Sequence, residues 1–72
     1  MEFTGARLAD AVALMNRYSR VQLIIEDPSL SDLEVSGYFR PDNTEIFLRL
    51  LEQGLGVKSE LRADGIALRR AD

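Results

Sequence analysis

The segment EVSGYFRPDN, residues 34–43, constrains the fold more than any other stretch of the chain. Val35, Tyr38 and Phe39 suit an extended strand. Pro41 ends that strand, because proline has no amide to give to a ladder. Asp42 follows as a helix N-cap, and Glu45 three residues on completes a capping box. Gly37 interrupts the strand on the face that Val35 and Phe39 turn to the core. A glycine there lets a neighbouring helix approach closely or permits a bulge.

Other segments place this corner in a sequence of elements. Residues 1–3 read as a first short strand. Residues 6–20, ARLADAVALMNRYSR, carry Leu8, Ala11, Val12, Met15, Tyr18 and Ser19 at helical spacing on one face, with Asp10, Ala13, Arg17 and Arg20 opposite. VQLIIED alternates with period two, Val21, Leu23 and Ile25 facing one way. Asp27-Pro28 breaks it, and PSLSDL forms a turn anchored by Leu30 and Leu33. After residues 33–39 comes a second helix, NTEIFLRLLEQ, expected to bury Ile46, Phe47, Leu50 and Leu51, with Glu45 and Arg49 paired across one turn and Gly54 as C-cap. LGVKSEL alternates again, RADG carries the Asp-Gly hairpin signal, and IALRR returns with Ile66 and Leu68 inward. The order is β-α-β-β-α-β-β, an α+β fold in one domain spanning residues 1–72.

A chain of this size buries only roughly 60% of the surface its unfolded form exposes, so each apolar position matters. Nine Lys and Arg stand against twelve Asp and Glu, a net charge of −3. That balance opposes non-specific binding to nucleic acid, which needs surplus cations to displace counterions. No cysteine or histidine is present. Disulfides, thiolate chemistry, imidazole metal ligands and a Ser-His-Asp arrangement are therefore excluded. The densest carboxylates, Glu26, Asp27, Asp32 and Glu34, lack the central glycine of a calcium loop, and Pro28 and Leu30 stand where ligands would be needed. Gly54-Leu55-Gly56 follows a helix rather than a strand and is no phosphate loop. We therefore expect no enzyme activity, metal or cofactor. What remains is a protein-binding surface. Ser36, Tyr38 and Arg40, outward on the middle strand beside a sheet edge, are the candidate contact residues.

The chain resembles the C-terminal end of FecR-type transmembrane sigma-factor regulators. The resemblance rests on Leu8 through Asn16-Arg17-Tyr18-Ser19, then Asp27-Pro28-Ser29-Leu30 and Val35-Ser36-Gly37-Tyr38-Phe39. It continues in Phe47-Leu48 with Leu51 and in Leu55-Gly56-Val57. The segment is similar in kind to the short domain at the N-termini of secretins and TonB-dependent transducers. The resemblance implies two helices packed between a two-stranded and a three-stranded sheet. It also implies a periplasmic signalling module, a fragment of an inner-membrane-anchored parent with Met1 as an added start. Its partner would be the signalling domain of an outer-membrane siderophore transducer. The parent would hold an extracytoplasmic-function sigma factor through a part absent here, and this fragment would touch neither membrane nor nucleic acid. The alternatives are a secretin or transducer domain, or a small RNA-binding α/β domain.

Overall fold

The strands pair in two small sheets, and the helices lie between them. The computed structural model describes residues 1–40 and 42–71. Its elements are β1 (Glu2–Arg7), α1 (Leu8–Tyr18), β2 (Leu23–Ile25), a 3₁₀ turn (Pro28–Leu30), β3 (Glu34–Tyr38), α2 (Thr44–Leu55), β4 (Val57–Arg62) and β5 (Gly65–Arg70). This is the expected β-α-β-β-α-β-β order. β1 and β3 pair antiparallel. In the second sheet β5 is central, parallel to β2 and antiparallel to β4. The expected strand stop at Pro41 lies outside the described residues.

One apolar cluster joins both layers. Leu8, Ala11, Val12 and Met15 of α1 meet Phe47 and Leu51 of α2, with Phe3, Leu23, Val35, Phe39, Val57 and Leu68 from the sheets. Asn16 fastens α1 to β2: its carboxamide oxygen accepts the Leu23 amide at 2.8 Å and its nitrogen donates to the Leu23 carbonyl at 2.9 Å. That exchange satisfies a strand-end residue with no other ladder partner on that side.

Several local expectations are corrected. β1 reaches Arg7 rather than stopping at Phe3. Its register with β3 shifts between Phe3 and Ala6, Gly5 takes φ +60, and the Gly5 amide donates to the Ser36 hydroxyl at 2.9 Å. The bulge absorbs one residue and lets pairing resume. α1 ends at Tyr18, which is 62% exposed instead of packed in the core, and β2 starts only at Leu23, leaving Val21 on the surface. α2 starts at Thr44 with Asn43 as N-cap and no side-chain cap bond, so the Asp42–Glu45 capping box does not form. Both Asp42 oxygens are instead taken by Arg40, at 3.1 and 2.9 Å. Glu45 and Arg49 do pair, at 3.2 Å. Gly54 lies inside α2, and Gly56 is the C-cap, its amide bonded to the Leu51 carbonyl. In the hairpin, Arg62 pairs with Gly65, which makes Ala63-Asp64 the loop. Neither residue has the positive φ that an Asp-Gly turn would use.

Gly37 does not make room for a helix. It is exposed and has φ +139, and the space a side chain would take is filled by the ring of Phe39, 3.1 Å from the Cβ position. The missing side chain lets Phe39 fold back toward the core, where it meets Phe47 edge-on at 5.2 Å. Gly37→Ala is expected to cost about 1–2 kcal/mol through backbone strain and displacement of that ring. Urea denaturation checks this, and an unchanged midpoint would contradict it.

Candidate protein-interaction surface

The Tyr38 end of β3 and the first turn of α2 form one exposed surface. Alternation along β3 sends Tyr38 away from the core, and it is 74% exposed. Beside it, Phe39, Arg40, Asn43 and Ile46 complete the walls of a shallow cleft of about 180 Å³. Ile46 is 55% exposed and Leu50, one turn further along α2, is also on the surface. The expected burial of both is thus corrected. On a helix they fall on a ridge beside the Phe47–Leu51 stripe, and among the described residues no element covers that ridge.

The structure separates the three candidate residues. Tyr38 and Arg40 line the same cleft. Ser36 is exposed, but its hydroxyl closes the β1 bulge. Arg40 is held by Asp42 in a bidentate pair with both side chains well exposed, so it borders the cleft as a neutralised pair. Ile46 belongs to this surface and was assigned to the core from sequence. The signal that could have separated it is angular: residues 46 and 50 lie about 100° from residues 47 and 51 around the helix.

The acidic group read from the sequence disperses into separate pairs. Glu26 accepts from Arg62 at 2.9 Å, and Asp32 accepts from Arg7 at 2.7 Å. Asp27 accepts both the hydroxyl and the amide of Ser29, at 2.8 and 3.0 Å. Those bonds, the hydroxyl's first, and the nearby Arg70 guanidinium hold the Asp27 carboxyl below the usual aspartate range. Among the described residues no three acids converge as a metal site would need.

These features define a small α+β domain: a helix pair between two sheets, with several exposed apolar side chains. No protein-family profile matches the sequence, and no curated protein matches it significantly. Solved structures share the fold. A chain of the Salmonella SPI-1 type III secretion injectisome basal body, in a structure of InvG, PrgH and PrgK, superimposes with a TM-score of 0.83 at 15% identity. The match covers 99% of this chain and 15% of that one. A candidate anti-sigma factor from Parabacteroides distasonis superimposes with a TM-score of 0.81 at 15% identity, over 100% of this chain and 34% of the other. The chain therefore spans about a seventh and a third of those proteins. Among the described residues no helix is long and apolar enough to cross a membrane.

Proposed function

We propose that this chain is a non-enzymatic protein-interaction module of an anti-sigma regulator, acting in the periplasm in cell-surface signalling for iron uptake. The observation that carries this reading is the superposition of the whole chain on one third of a candidate anti-sigma factor. The NRYS, DPSL and VSGYF segments, which resemble those of FecR-type regulators, support it independently. The partner is the signalling domain of an outer-membrane TonB-dependent transducer, and the contact surface is the cleft around Tyr38, Arg40 and Ile46. An exposed tyrosine beside an exposed isoleucine supplies the aromatic and aliphatic anchors that binding hot spots use. A second reading, a domain of a secretion-system assembly, is favoured by the likeness to the basal-body chain.

Calorimetry with the isolated transducer signalling domain tests the first reading. Tyr38→Ala combined with Arg40→Ala is expected to weaken binding about 10-fold or more while circular dichroism stays unchanged. Unaltered affinity would place the contact elsewhere on the domain. No binding by the wild-type chain would favour the second reading.

A further inference from the structure

Four strands lie at sheet edges: β1, β3, β2 and β4. β1 carries a bulge, β3 contains Gly37 at φ +139, and β2 is three residues long. β4 is six residues long, with no glycine, proline or bulge. A regular open edge of that kind is a template for another strand. The Ala71 amide donates to the Gly56 carbonyl at 2.8 Å, which sets the phase of the β4–β5 ladder. Antiparallel bonding alternates along a strand, so Lys58, Glu60 and Arg62 bond to β5. The backbone groups of Val57, Ser59 and Leu61 therefore point away from β5; Ser59 and Leu61 stand at the open edge, whereas Val57 is buried. None of them makes another hydrogen bond among the described residues.

We propose that this edge pairs with β4 of a second copy of the chain, antiparallel about a two-fold axis at Ser59. In that register Ser59 lies opposite Ser59 of the second copy, Val57 opposite Leu61, and Lys58 opposite Glu60. At the axis the edge-facing Ser59 amide of each copy meets the Ser59 carbonyl of the other. The side chains match as well. Lys58 has no ion pair within the chain among the described residues, whereas Glu60 lies 3.3 Å from Arg69 and 3.8 Å from Arg62. The second copy brings Lys58 to the open side of Glu60. Moving the axis by one residue would set Lys58 against Lys58 or Glu60 against Glu60, and directly opposed like charges are destabilising. Charge thus selects one register.

Leu61 gives the pairing an apolar component. It is 82% exposed although it points to the inner face, in one row with Ile66 and Leu23. Across the axis it comes to the Val57 end of the second copy's β4, where Val57 itself is buried in the core. A lone lysine on an edge often guards against pairing; here the glutamate two residues on supplies its counter-charge. The contact is small, so the dimer is weak and concentration-dependent. This inference needs only β4 and is independent of the signalling reading.

Sedimentation velocity on the 72-residue chain tests it, together with cysteine cross-linking, since the sequence has no cysteine of its own. A hydrogen-bonded antiparallel pair holds its Cα atoms about 5.5 Å apart, inside the roughly 4.4–6.8 Å window of a disulfide. Ser59→Cys is expected to oxidise rapidly to a covalent dimer, and Asp10→Cys on α1 only slowly. Lys58→Glu is expected to weaken dimerisation about 10-fold at low salt, and adding Glu60→Lys to restore it. Ser59→Pro removes only an edge-facing amide and should give a folded monomer. The proposal is overturned by a chain that stays monomeric up to ~1 mM. It is equally overturned by a dimer indifferent to Lys58→Glu, or by Ser59→Cys oxidising no faster than Asp10→Cys.

Discussion

Phe47→Ala is expected to lower the stability of the domain by about 3–5 kcal/mol. Phe47 has no exposed surface and is the largest fully buried side chain. Its ring meets Phe39 edge-on at 5.2 Å and Phe3 at 6.4 Å, so one side chain of α2 ties the helix to β1 and to the residue that follows β3. Truncating a buried phenylalanine costs about 3–5 kcal/mol, from lost transfer energy and the cavity left behind. A domain of this length has only about 4–11 kcal/mol in total. The loss therefore consumes about a quarter of the stability or more. Phe47→Leu keeps most of the volume and should cost less than about 1.5 kcal/mol. Urea titration followed by circular dichroism separates the two variants. A loss below ~1 kcal/mol for Phe47→Ala would mean that the aromatic contact does not join the layers.

Gly65→Val is expected to cost about 3 kcal/mol or more, from two causes that act together. Gly65 has φ +148, which L side chains rarely adopt. A Cβ there would also run into the carbonyl oxygen of Gln22, which is backbone and cannot swing aside. The same oxygen accepts the Ile66 amide at 2.8 Å, the bond that starts the β2–β5 pairing. Relief of the clash would therefore open the parallel pair at its first rung. Gly54→Ala is the matched comparison, since it adds a methyl inside α2 where the nearest atom, in Leu50, is 4.0 Å away. That change should raise stability by up to about 1 kcal/mol. Equal effects of the two variants in denaturant titration would refute the close approach at Gly65.

The charged outer face of the three-stranded sheet has a passive role. Glu26, just after β2, joins Arg62 and Glu60 of β4 and Arg69 of β5 in a chain of ion pairs on the face where Ala67 is buried. These groups are partly exposed and contribute little to stability. Their effect is to cover the outer face with charge and leave the open edges and the Tyr38 cleft as the apolar contacts on offer.

Legibility from the sequence followed the range of the interaction. The α1 stripe of Leu8, Ala11, Val12 and Met15 was readable because helix periodicity is a local property. Residues at its margin were not. Tyr18 has the right spacing, but α1 ends there and the residue is left exposed. Ile46 and Leu50 failed for the same reason: a helix has apolar residues wherever the sequence puts them, and only a neighbouring element decides which are buried. Asn16 stood in the NRYS segment without a visible role, because its partner is the backbone of Leu23. At the candidate surface, Tyr38 and Arg40 were readable as outward by alternation. Ser36 was readable as outward but not as the acceptor for a bulge in a strand thirty-one residues away.

By itself the sequence determined the number, kind and order of the elements, because period-two and helical patterns, breakers and turns act between near neighbours. Only the tertiary structure decided that β1 pairs with β3 and that β5 enters between β2 and β4. Only it left β4 as an open edge and Gly65 pressed against Gln22. Those outcomes come from backbone groups, which are chemically alike along the chain. The strand that satisfies them is chosen by how the whole apolar cluster closes, not by any residue near the strand itself.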